Sequence, residues 1–179
     1  MKKRSLIMTA LIILICLCTV GLTIAYLTAV SNSVTNTFTV GNITLELSET
    51  ARERYPLIPG AELHKDPRVT VKSGSEAAWL YVKLEEANGL EDYVSYALSD
   101  GWTLLDGYDN VYYREVSAAS ADTVYPILQN DTVTVKDTLT EEALVAISNT
   151  PTLTVSAYAI QRSGVATALV GWQALEASS

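Results

Sequence analysis

The sequence predicts an all-β protein, an antiparallel β-sandwich with a few short helices. Three observations carry that prediction. The chain is rich in Thr, Val and Tyr, with ten Tyr against one Phe, and such side chains suit half-buried pleated strands. Apolar residues recur with period two. The alternating segments are short and separated by turn signals, giving about seven to nine strands, which read as an antiparallel sandwich.

The elements follow in order. Met1-Lys2-Lys3-Arg4 is basic, and no charged residue lies between Leu6 and Ile24. Thr23-Ile24-Ala25 sets small residues where a signal peptidase reads them. This is the layout of a secretory signal peptide, cleaved between Ala25 and Tyr26. Residues 1–25 are therefore read as signal, and residues 26–179 as one domain in a secreted protein, extracellular or at the cell surface. Phe38 and Val40 share a strand face, and after Gly41-Asn42 the apolar parity passes to Ile43, Leu45 and Leu47, which suggests a bulge or bend at Gly41. Tyr55-Pro56-Leu57-Ile58-Pro59-Gly60 reads as a loop, with the polar segment around His64 continuing it, and Val69 and Val71 as a short strand. Ala78, Leu80, Val82 and Leu84 face one way, Trp79, Tyr81 and Lys83 the other.

Leu90, Tyr93, Val94 and Leu98 fit a short amphipathic helix ended by Asp100-Gly101. Trp102–Leu105 and Val111–Val116 form a hairpin around Asp106-Gly107-Tyr108-Asp109-Asn110. Tyr125–Leu128 and Thr132–Val135 read as strands. Thr138 and Glu141 offer a capping box before a helix at Glu141–Ile147. Thr152–Gln161 is the clearest late strand, and Ala166–Ala174 a closing helix.

Charge and cysteine content narrow the function. Loss of Lys2, Lys3 and Arg4 takes the 12 basic residues to nine, against 20 acidic ones. So acidic a domain repels nucleic acid and anionic membranes, and no nucleic-acid partner is expected. Cys16 and Cys18 both lie in the apolar run, so the mature chain has neither a disulfide framework nor a thiol nucleophile. Ile15 and Leu17 precede them where a lipoprotein signal wants a small residue. The run is also long enough to span a bilayer, so an uncleaved anchor is the rival reading. Leu175–Ser179 carries no apolar tail.

No chemistry announces itself. His64 is the single histidine, so there is no two-histidine zinc helix, and no Gly-x-Ser-x-Gly turn supplies a nucleophile. Glu85-Glu86, Glu91-Asp92 and Asp100, Asp106 and Asp109 are carboxylate clusters without the regular calcium-loop spacing; the last three are explained by turns. Asn42-Ile43-Thr44 and Asn130-Asp131-Thr132 match the glycosylation triplet, a pattern short enough to arise by chance. Tyr93, Tyr96, Trp102, Tyr108, Tyr112 and Tyr113 form either a binding face or sandwich core. No catalytic residue, metal ligand or cofactor is assigned.

Several segments together resemble one family. They are Ile24-Ala25-Tyr26-Leu27-Thr28, Thr35–Leu45, Ile58-Pro59-Gly60, Lys65–Val71, Ala78–Lys83, Asp109–Tyr113 and Leu153–Gln161. The chain resembles the TasA/camelysin-like exported proteins of Gram-positive bacteria, those with a SipW-dependent type of signal peptide. The resemblance implies a jelly-roll-like sandwich, removal of the signal by an ER-type signal peptidase of the SipW kind, and extracellular fibres of the biofilm matrix, with a matrix accessory protein as a possible partner. It also implies that a subunit's N-terminal segment completes its neighbour's sheet. Here Tyr26-Leu27-Thr28-Ala29-Val30, freed by cleavage, is the candidate donor strand, its main chain supplying hydrogen bonds and its alternate side chains register. Head-to-tail donation between copies of the chain does not close, so it builds filaments. The expectation is a secreted, non-enzymatic matrix fibre subunit or an accessory to one. The alternatives are a secreted metallopeptidase, as the camelysin branch has been labelled, and a membrane-anchored binding module.

Overall fold

The structure, a computed structural model, describes residues 34–40, 42–50 and 55–178. The signal, its Ala25-Tyr26 cleavage point, the donor segment Tyr26–Val30 and Gly41 lie outside the described residues.

Eleven strands run through these residues: β1 (Val34–Val40), β2 (Leu45–Ser48), β3 (Glu62–His64), β4 (Arg68–Val71), β5 (Ala78–Ala87), β6 (Val94–Ser95), β7 (Thr103–Leu104), β8 (Val111–Val116), β9 (Thr123–Pro126), β10 (Thr132–Val135) and β11 (Thr152–Gln161). Three helices join them, α1 (Leu90–Tyr93), α2 (Glu141–Val145) and α3 (Ala168–Ser178). A five-stranded sheet has the order β1-β11-β5-β8-β7, and two three-stranded sheets have the orders β3-β10-β6 and β2-β4-β9. The expected all-β architecture with few short helices is present. All the pairings are antiparallel but one: β1 lies parallel to β11, from Val34 beside Val155 to Val40 beside Ile160, with an irregularity between Thr35 and Phe38.

The alternation explains the layers. Ala78, Leu80, Val82 and Leu84 of β5 and Leu153, Val155, Ala157 and Ala159 of β11 pack in one core with Leu63, Val133 and Val94 from one small sheet and Leu45, Val69 and Val71 from the other. The large sheet thus faces both small sheets across a single apolar layer. Each fully buried Leu or Val there contributes roughly 1.5–3 kcal/mol relative to exposure. The opposite face of the large sheet is also buried. Tyr81, Val111 and Ile160 pack with Ala168, Trp172 and Leu175 of α3 in a second cluster. Trp172 meets Tyr158 edge-on at 5.2 Å and Tyr81 at 5.4 Å between ring centres. Gly171 allows this approach, since a Cβ there would lie 2.8 Å from Ile160 Cγ2 and closer still to the Tyr81 hydroxyl.

Several expectations are corrected. The helix expected over Leu90–Leu98 is one turn, because Val94 leaves it in an extended conformation to pair with Val135, and Leu98 bridges Leu128. Pairing of β-branched Val94 with a buried strand outweighs the helical spacing. The segment around His64 is not a loop: Glu62–His64 is β3, with Leu63 buried and Glu62 and His64 exposed. The cap of α2 is Thr140, whose Oγ1 accepts from the Ala143 N–H at 3.3 Å, rather than Thr138. The bulge or bend expected at Gly41 is on a residue outside the described ones; on its two sides, β1 belongs to the large sheet and β2 to a small one.

Candidate functional site

Three places could carry function. The first is the outer strand of the large sheet. β11 is held on one side by ten antiparallel residue pairs with β5, from Thr152–Ala87 to Gln161–Ala78, and on the other by parallel β1. Parallel pairing is slightly weaker per residue than antiparallel pairing, so β1 sits on the less tightly held edge. Both faces of β11 are committed to core, Val155, Ala157 and Ala159 to one cluster and Ile160 to the other. Whatever strand lies beside β11 therefore borders buried apolar surface as well as a row of main-chain groups.

The second place is a charged network that sequence reasoning missed. Lys65 is 1% exposed and Asp66 2%, although both stand in a segment that reads as polar surface. The Lys65 ammonium bonds both Glu49 carboxylate oxygens, at 3.1 and 3.2 Å. Burial lowers its pKa below the usual lysine value, opposed by the Glu49 and Asp66 charges. The Thr50 N–H donates to Asp66 Oδ1 at 3.0 Å and the Thr50 hydroxyl to Oδ2. Arg68 bonds Asp131 at 2.8 Å and lies 3.6 Å from Asp66. The network ties the end of β2 to the link between β3 and β4 and to the turn before β10. No periodicity marks it; the one available signal was the density of opposite charges in His64-Lys65-Asp66-Pro67-Arg68.

The third place is a pair of surface grooves meeting at Tyr96. One, of about 430 Å³, runs over the outer face of β3, β10 and β6, where Glu62, Thr132, Thr134 and Ser95 point outward. The other, of about 280 Å³, lies among Glu86, Asp109, Asn110 and Tyr112. Tyr96 is half-buried and its hydroxyl donates to Glu86. Burial first, then that carboxylate, pushes the phenol well above its ordinary pKa, so it remains a donor.

The aromatic residues do not form one face. Tyr93, Tyr96, Trp102 and Tyr112 pack at the edge of the first core, Tyr108 and Tyr113 at the second. Trp102 has a further role. The Arg114 guanidinium carbon lies 5.2 Å from its ring centre and 4.5 Å from that of Tyr125. Among the described residues no group of three or more His, Cys, Asp or Glu is placed to hold a metal ion.

Comparison with known protein families, with curated proteins and with solved structures finds no match.

Proposed function

We propose that this chain is a secreted, non-enzymatic structural protein, a matrix fibre subunit or an accessory to one, that assembles by donating its N-terminal segment to a second copy. The observation that supports the reading is the position of β1. It is the outermost strand of the large sheet, it is parallel in an otherwise antiparallel sheet, and in the sequence three residues separate it from the candidate donor segment, which ends at Val30. An end strand of this kind can make the same bonds to its own β11 or to a neighbour's. Exchange of an identical element between copies needs little new interaction energy, and done head to tail it gives a filament. The donated piece is then Tyr26–Val30 together with β1, and the sandwich is of the jelly-roll kind. An ER-type signal peptidase of the SipW kind exposes the segment, so export and assembly are coupled.

Negative-stain microscopy tests this with two purified forms, Tyr26–Ser179 and Val34–Ser179. The second keeps β1 but lacks Tyr26–Val30, the leading part of the donated piece. Filaments from the first form, lost or shortened in the second, support donation. Monomers from both at high concentration and mildly acidic pH overturn it. Zinc content and casein cleavage distinguish the metallopeptidase alternative, and a native N-terminus at Met1 rather than Tyr26 the anchored binding module.

A further inference from the structure

The geometry points to the two grooves around Tyr96 as one binding surface for an uncharged polysaccharide segment. This goes beyond the assembly reading and does not depend on it.

The shape comes first. The grooves share Tyr96 in their walls, so they adjoin at that side chain, with volumes of about 430 and 280 Å³. Open grooves of this size, set side by side, have room for a short segment of a linear chain.

The lining chemistry comes next. The larger side presents the Ser95, Thr132 and Thr134 hydroxyls and the Gln129 and Asn130 amides. The smaller presents Asn110, with Tyr112 beside it. Hydroxyls and amides both donate and accept, which matches the hydroxyl-dense edges of sugars. Tyr96 and Tyr112 add ring surface for the apolar C–H faces of a pyranose, with a polar tip on each ring. The charge pattern then selects among glycans. No Lys or Arg lines either side, whereas Glu62, Glu86 and Asp109 do. A uronate or phosphate polymer would meet only like charge at close range, so the fit is to a neutral chain.

The rim is also held in a set conformation. Asn130 and Asp131 are consecutive non-glycine residues at φ 55° and 54°, a left-handed geometry that costs energy unless the surroundings impose it. Here they do. Asp131 is bonded by Arg68 at 2.8 Å, and its carbonyl accepts from the Lys65 N–H at 2.8 Å. The Arg68 guanidinium and the Lys65 main chain thus fix the turn that carries Gln129 and Asn130 to the edge of the larger groove.

Affinity electrophoresis of the purified protein tests the proposal. The gels contain laminarin, xylan, dextran, galactomannan or hydroxyethylcellulose, with polygalacturonate and a neutral blank beside them. At least one neutral polymer should retard the protein, and polygalacturonate should not. Asn130→Gly keeps the left-handed backbone and removes the amide, and Tyr96→Ala removes the shared ring. Each should weaken retardation at least five-fold, with Asp122→Asn, on an exposed loop paired with Lys72, leaving it unchanged. If Tyr96→Ala disturbs folding, judged by circular dichroism, Asn130→Gly and Gln129→Ala decide. No retardation by any neutral polymer, retardation by polygalacturonate alone, or equal retardation of the wild type and the Asn130 and Gln129 variants overturns the proposal.

Discussion

The Arg114 guanidinium sits 4.5 Å above the Tyr125 ring, and this contact joins β8 of the large sheet to β9 of a facing sheet. Trp102 approaches the same guanidinium at 5.2 Å and anchors itself through Nε1–H to the Pro126 carbonyl at 2.9 Å. Gly101 leaves room for the arrangement, since a Cβ there would collide with the Arg114 guanidinium. Arg114 is thus held against two aromatic rings, one of them on the facing sheet.

Cation–π contacts of this partly desolvated kind are worth about 0.5–2 kcal/mol each. Arg114→Ala should lower the unfolding free energy by about 1–3 kcal/mol in urea titrations, because it also removes stem packing. Arg114→Lys should recover less than half, since an ammonium lacks the planar face that stacks on a ring. Full recovery by lysine would show that charge alone matters.

The Glu49–Lys65 pair predicts losses that do not add. Lys65→Met leaves the nearly buried Glu49 carboxylate without its ammonium partner and should cost about 3–5 kcal/mol. Adding Glu49→Leu should restore most of the loss, because removing both charges also removes the penalty of burying them. Additive losses in the double variant, measured by chemical denaturation, would contradict this account of the network.

The second core predicts a size threshold at α3. Gly171→Ala forces the new methyl against Ile160 and the Tyr81 hydroxyl, which donates to the Ala168 carbonyl at 2.8 Å. Overpacking of this sort costs about 1–3 kcal/mol. The thermal midpoint should fall by several degrees, with the Trp172 fluorescence changed; an unaltered midpoint would mean that α3 packs more loosely than described.

Alkaline pH should unmask the buried phenols. Burial raises Tyr81 and Tyr96 above the ordinary tyrosine value of 10.0. Their folded pKa values exceed the unfolded ones, so their contribution to stability is complete below about pH 10 and is lost as pH rises beyond it. A spectrophotometric titration at 295 nm should show a late tyrosine step that coincides with unfolding. A single step with every tyrosine near pH 10 would contradict the burial.

The sequence revealed the fold where alternation was sustained. Thr132–Val135 and Thr152–Gln161 are strands at the expected bounds, and β5 divides its two faces as its period requires. It misled where tertiary pairing competed with local spacing, as at Val94, and where a short strand lay among charges, as at Glu62–His64. The parallel pairing of β1 with β11 could not be read at all, because strand order depends on contacts between segments more than a hundred residues apart. The grooves were legible only in part. Tyr96, Glu86 and Asp109 stood out as aromatic and acidic residues, but their meeting depends on how α1, β6 and the β7–β8 turn converge.

The central claim is that β1 of one copy can occupy the edge of β11 in another. The expected absence of cysteine from the secreted chain makes a direct measurement possible. Thr35 and Ser156 are register partners across that pair. Two variants of the secreted form, Thr35→Cys in one and Ser156→Cys in the other, are mixed under assembly conditions and oxidised. The account predicts a disulfide-linked heterodimer that joins the two variants, absent when either is oxidised with wild type. Heterodimer yield no higher than that of each variant with itself, together with an intrachain disulfide in the Thr35→Cys/Ser156→Cys double variant at every concentration, would show that β1 stays on its own sheet and contradict assembly by exchange.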